Sequence, residues 1–354
     1  SPEFGENDFR ISDMGPDANG AFDAFNAAVV YNSIENEYLV VWSGDDDKNE
    51  EFEIWGQRID AATGEEVGVN DFQISDVGPD GQINYDAFQP AVAYNNIQNE
   101  YLVVWYGDDN QTSLVNDEFE IFGQLLDASG NEIGTDDFRI SFMGDDGFTD
   151  AEALAPDVAF SSTSNSYLVV WHGDDATDGT VDDEMEVYAA GITAGGFLQN
   201  MFDIRLSDMG PDGDTGYAAM NPAVVFNSVD NEFLVIWEGD DNNGSLTESE
   251  FEIFAQRFDS DLFSEVGIND FRVSEQGSDG DQSIDANNPA VAFNSNTNEY
   301  LVVWQGDSDT PPLVNQELEV YGQILSSGTN LTKVATSFRI NSRISCFTVR
   351  PHVT

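Results

Sequence analysis

The chain has 354 residues, with 11 Lys plus Arg against 68 Asp plus Glu and a formal net charge of −57. That balance excludes a nucleic-acid or anionic-membrane surface, since both need a basic footprint to displace counterions. One cysteine, Cys346, excludes an internal disulfide framework and a Cys-based zinc site, while a content of 40% hydrophobic and 12% aromatic residues excludes a disordered acidic chain.

Residues 1–7, opening Ser1-Pro2-Glu3-Phe4, read as a cloning remnant or linker. From residue 8 to 341 one unit recurs. Phe9-Arg-Ile-Ser is followed by Phe72-Gln-Ile-Ser, Phe138-Arg-Ile-Ser, Ile204-Arg-Leu-Ser, Phe271-Arg-Val-Ser and Phe338-Arg-Ile-Asn, at spacings of 63, 66, 66, 67 and 67 residues. Trp42, Trp105, Trp171, Trp237 and Trp304 keep the same period.

Each unit holds four strand-like runs. In the fourth they are Ala223–Phe226, Glu232–Trp237, Glu250–Phe258 and Phe271–Ser274, separated by Asn, Asp, Gly and Pro clusters. No stretch carries a helical period. Four strands every ~66 residues predict an all-β, five-bladed β-propeller with one antiparallel sheet per blade. The blades begin near residues 9, 72, 138, 204 and 271. The small Ala-Val-Ala/Val run belongs innermost, followed outward by the Trp run, the Glu-x-Glu run and Phe-Arg-Ile-Ser. Six outer-strand copies for five blades predict that one terminal copy closes the ring, which removes open sheet edges. Residues 342–354 carry Arg343, Cys346, Arg350 and His352 but no acid, and read as a disordered or vector-derived tail.

Acid recurs at fixed places. Gly-Asp-Asp after the Trp run supplies Asp45, Asp46, Asp108, Asp109, Asp174, Asp175, Asp240 and Asp241, with Asp307 and Asp309 in the fifth unit. The first glutamates of Glu-x-Glu are Glu51, Glu118, Glu184, Glu250 and Glu317. The loop before each inner strand carries Asp17, Asp80, Asp146, Asp212 and Asp279, weaker candidates for a ligand. Two readings compete. Hard oxygen donors at such density suit Ca²⁺, which takes six to eight of them. Alternatively, the acids only solvate the surface. The arginines at 10, 139, 205, 272 and 339 are expected to pair with Glu-x-Glu across the sheet. The recurring aromatics Trp55, Phe122, Tyr188, Phe254 and Tyr321 read as core between blades. His172 is expected at the surface.

The motif series Pro-Ala-Val-Ala/Val-Phe/Tyr-Asn, Asn-Glu-Tyr/Phe-Leu-Val-Val/Ile-Trp, Gly-Asp-Asp and Glu-Ile-x-Gly/Ala-Gln resembles the tandem propeller repeats of large secreted bacterial surface proteins. The resemblance implies an extracellular or cell-surface setting. In such a setting calcium is available and adhesion or glycan binding is common, and with the acid density and the five near-equal copies this gives the expectation of a monomeric, calcium-stabilised, non-catalytic adhesion module that recognises a glycan or surface protein. Five near-equal copies argue against a single catalytic centre. The alternatives are a glycoside hydrolase with a carboxylate pair at the channel mouth, or a structural spacer. The hydrolase requires carboxylates that break the fivefold pattern. Asp23, Asp86, Glu152 and Asp285 share one position before the inner strand, where the fourth unit has Ala218.

Overall fold

The computed structural model describes residues 9–16, 19–46, 50–79, 81–109, 114–175, 181–199, 203–242, 246–261, 263–308 and 317–340. Among them there is no helix, and five antiparallel sheets follow one another along the chain. The inner strands are β1 (Ala24–Asn32), β5 (Ala87–Asn95), β9 (Ala153–Ser161), β13 (Ala219–Asn227) and β17 (Ala286–Asn294). Each pairs with a Trp-bearing strand: β2 (Glu37–Gly44), β6 (Glu100–Gly107), β10 (Ser166–Gly173), β14 (Glu232–Gly239) and β18 (Glu299–Gly306). The third strands are β3 (Glu53–Asp60), β7 (Glu120–Asp127), β11 (Glu186–Thr193), β15 (Glu252–Asp259) and β19 (Glu319–Ser326). Outermost lie β4 (Glu66–Gln73), β8 (Glu132–Arg139), β12 (Ile204–Arg205) and β16 (Ser264–Arg272), while β20 (Thr332–Lys333) and β21 (Phe338–Ile340) both pair with β19.

The strand order within each sheet is the expected one, but β4, β8 and β16 start earlier than Phe-Arg-Ile-Ser, while β12 starts at Ile204 of the motif itself. β16 begins at Ser264 and passes a bulge before Phe271 pairs with Ala255. Gln256 holds that bulge, its Nε2 donating to the Val266 carbonyl at 3.3 Å. Residues 264–270 read poorly as a strand because Gly267, Asn269 and Asp270 interrupt the alternation of Val266 and Ile268.

Inner strands bulge as well. Asn26, Gln89, Ala155, Asn221 and Asn288 take positive φ of 49–53° where the register with the second strand shifts. Neighbouring inner strands contact one another in the order β1, β5, β9, β13, β17. Trp105, Trp171, Trp237 and Trp304 are buried between blades, each stacked on the recurring aromatic of its own third strand. Those aromatics are therefore core.

Of the two terminal outer-strand copies, the C-terminal one completes blade five: Phe338 pairs with Gly322 in β19. Residues 9–12 lie in no strand. No pairing among the described residues joins blade five to blade one. No helix of the described residues is long and apolar enough to cross a membrane. The tail 342–354 lies outside the described residues.

Candidate functional site

Strand ends bring the recurring acids together, blade by blade, and most are buried. The first aspartate of each Gly-Asp-Asp accepts backbone N–H groups from two loops. Asp108 takes Asp86 N–H on Oδ1 and Asp117 N–H on Oδ2, both at 2.9 Å. Asp174 takes Glu152 N–H and Asp183 N–H, both at 3.0 Å. Asp45 takes Asp23 N–H and Glu50 N–H, and Asp240 takes Ala218 N–H and Ser249 N–H. Asp307 takes Asp285 N–H. The second aspartates Asp46, Asp109, Asp175 and Asp241 accept from Gly15, Gly78, Gly144 and Gly210. Glu51, Glu118, Glu184 and Glu250 accept from Gly81, Gly147, Gly213 and Gly280. Glu317 is exposed. Asp146, Asp212 and Asp279 receive Arg139, Arg205 and Arg272. Asp17, Asp80 and Asp309 lie outside the described residues.

These carboxylates satisfy loop amides that the turns would otherwise leave unpaired. Burial raises the pKa of Asp108, Asp174 and Asp240 above the ordinary carboxylate range. Among the described residues no group of three or more His, Cys, Asp or Glu is arranged to hold a metal ion.

Four of the expected Arg–Glu pairs form, on the second glutamate of Glu-x-Glu, while Arg10 pairs with Asp13. Arg139 meets Glu120 and Arg272 meets Glu252 in close contacts, while Arg205 stands 3.9 Å from Glu186 and Arg339 3.7 Å from Glu319. Each buried glutamate of the first four blades also accepts a serine hydroxyl: Ser75, Ser141, Ser207 or Ser274. These are structural contacts within one blade.

The fivefold pattern fails in one neighbourhood. At the position held by Ala28, Ala91, Ala223 and Ala290, blade three has Asp157. Asp157 is only 7% exposed, and its Oδ2 accepts Val224 N–H of β13 at 2.8 Å. After the tryptophan, where other blades have Ser43, Tyr106 and Gln305, blades three and four have His172 and Glu238. His172 is 8% exposed, which corrects the surface placement read from sequence. The ring is enclosed because it turns toward the inner strand of the next blade, where Asn221 N–H donates to Nδ1 at 3.4 Å.

Asn221 links the two. Its Nδ2 donates to Glu238 Oε1 at 2.7 Å, and Glu238 Oε2 accepts Asn288 N–H of β17 at 2.5 Å. Asp157 lies opposite Val170 and His172 lies two residues further along β10, so both side chains share the face toward blade four. Two carboxylates and an imidazole thus surround the first half of β13. Glu152 departs from the repeat more mildly, as a glutamate where three blades have aspartate. It lines a cleft of about 240 Å³ with Thr149, Asp150, Asp174, Asp182, Asp183 and Met185. Burial, then the charges of Asp174, Asp183 and Asp182, push its pKa up.

No family model matches the chain, and no curated protein matches it. Solved structures do. A thermostable family-43 glycoside hydrolase is 11% identical, with 92% of this chain and 97% of that chain covered and a TM-score of 0.44. An α-L-arabinofuranosidase from Lactobacillus brevis is 14% identical over 90% of this chain and 96% of its own, with a TM-score of 0.46. A Bacillus subtilis arabinanase is 10% identical over 85% and 94%, with a TM-score of 0.41. At these identities the likeness concerns the fold, an all-β repeat of four-stranded sheets.

The expectation of a non-catalytic adhesion module, and of a chain that is not an enzyme, is corrected. The solved structures that the chain resembles include glycoside hydrolases. The five near-equal copies on which that expectation rested are unequal at Asp157, His172 and Glu238.

Proposed function

We propose that the chain is a glycoside hydrolase whose site is built around β13, where Asp157 reaches it from blade three and Glu238 spans from it to blade five, the two acting as its carboxylate pair. One observation carries this reading: the titratable residues that break the repeat gather around a single strand, β13. Two carboxyl groups on opposite sides of a glycosidic bond are what hydrolysis needs, one to protonate the leaving oxygen and one to activate water or attack carbon. Their anchors on β13, Val224 for Asp157 and Asn221 for Glu238, are three residues apart. In this reading His172, beside the inner strand of blade four, orients the sugar ring.

The net charge of −57 selects among glycans. An acidic protein repels uronate or sulfated polymers, so the substrate in this reading is a neutral polysaccharide met outside the cell. Calcium on the acidic loops is a separate proposal, resting on their density of oxygen donors, and no step of hydrolysis is routed through it. Calorimetric titration with Ca²⁺ tests it: heat of binding supports it, and none removes it.

The hydrolase reading is tested by reducing-end release from a panel of neutral plant and bacterial polysaccharides. At least one substrate is cleaved by the native chain, and Glu238→Gln and Asp157→Asn each lower the rate by ~10²–10⁴-fold with folding retained. A variant as fast as the native chain would overturn the assignment.

A further inference from the structure

The joints of blades one and two and of blades four and five repeat one set of contacts, of which the joint of blades two and three keeps the Asn95–Asn165 hydrogen bond while the joint of blades three and four has Ser161 and Phe233 instead, and both ends of the array present half of the set. At the joint of blades one and two, Asn32 Nδ2 donates to Asn99 Oδ1 at 3.0 Å and to Tyr101 Oη at 2.9 Å. At that of blades four and five, Asn227 Nδ2 donates to Asn298 Oδ1 and Tyr300 Oη at 3.0 and 2.8 Å. Tyr101, Tyr167, Phe233 and Tyr300, which fill this position in blades two to five, are 0% exposed. The blade-one counterpart Tyr38 is 40% exposed, and Val29 beside it 39%. On the other end Asn294, the counterpart of Asn32 and Asn227, is exposed, and Leu301 is 39% exposed where Leu102, Leu168 and Leu234 are 0%.

The segment Phe9–Pro16 says what belongs between these faces. At internal joints the residue after each outer strand donates its N–H to an aspartate of the next outer strand: Asp76 to Asp137 at 2.7 Å, Phe142 to Asp203 at 2.9 Å. Asp13 N–H does the same to Asp71 Oδ2, and Gly15 N–H to Asp46 as Gly78 does to Asp109. Residues 9–16 therefore stand against blade one as the end of a preceding outer strand would, yet no sheet lies inside them. Blade five cannot supply it, because β21 already occupies the outer edge of β19.

From these half-joints we infer that the two open faces are an interface for a sixth, three-stranded sheet of this same repeat. Its inner strand packs against Val29 and Tyr38, and its Tyr-bearing strand receives Asn294. Its Glu-x-Glu strand pairs with Phe9–Ser12 and gives Ser12 the carboxylate that Ser75 finds in Glu53. The occupant is thereby specified: β-sheet of this sequence type, apolar on the joint faces.

The test places a copy of residues 274–326 after Ile340 in the full chain. The expected result is a melting temperature higher by at least about 5 °C and amide exchange at Ile11 and Ser12 slowed at least about tenfold. No change in either would overturn the proposal. In the chain without the insertion, a Tyr38→Cys, Asn294→Cys, Cys346→Ser variant is expected to stay monomeric and unbridged. An intramolecular disulfide in high yield would mean that five blades close on themselves, and a dimer that buries Tyr38 would make a second copy the occupant; either result overturns the proposal.

Discussion

At Glu53, Glu120 and Glu186 one buried carboxyl meets three different neighbours. Burial raises all of them, to about 9 at Glu53, about 7 at Glu120 and about 8 at Glu186. The order follows the arginine: in contact at Glu120, 3.9 Å away at Glu186 and replaced by Gln73 at Glu53. A carboxyl whose folded pKa lies above its unfolded 4.5 binds its proton more tightly when folded. Its stabilising contribution is present below pH 4.5 and is lost as pH rises through about 7 to 9. The melting temperature is therefore expected to fall between pH 5 and pH 9, and Glu53→Gln to flatten the alkaline part of that fall. Gln73→Arg should raise stability at pH 8 by on the order of 1 kcal/mol by supplying the missing cation; denaturant titration showing no gain would contradict the pairing. The arginine partners were legible from strand register alone. The burial of the Gly-Asp-Asp acids was not, because composition argues for solvation and the amides that hold them meet only once the loops fold.

At the scale of the strand, period and turn residues sufficed to order four strands per sheet. They missed the first half of β4, β8 and β16, where glycines and acids interrupt the alternation of the strand. They also missed what a single substitution in a repeat does. His172 looks like surface variation beside Ser43, Tyr106, Glu238 and Gln305, and only the bulge that turns β13 toward it reveals a partner. Close approach of backbone is likewise invisible until strands pair. A Cβ on Gly173 would lie 2.1 Å from the Glu152 carbonyl oxygen, which is why glycine ends the second strand in every blade. Gly173→Ala is expected to cost about 1–3 kcal/mol, read by chemical denaturation, through displacement of the loop carrying Glu152. A stability equal to that of the native chain would show that the loop gives way freely.

Across the whole molecule the repeat explains the fold. Buried aspartates pin loops to strands, and in the proposed hydrolase the residues that depart from the repeat, Asp157, His172 and Glu238, would make one site out of five similar units. The direct measurement is a repeat-restoring variant, Asp157→Ala, His172→Ser and Glu238→Gln together, each residue taken from another blade or its amide isostere. The account expects cleavage of a neutral polysaccharide by the native chain, and a folded variant with a comparable melting temperature and no cleavage. Undiminished cleavage by the variant, or no cleavage of any neutral glycan by the native chain, would contradict it.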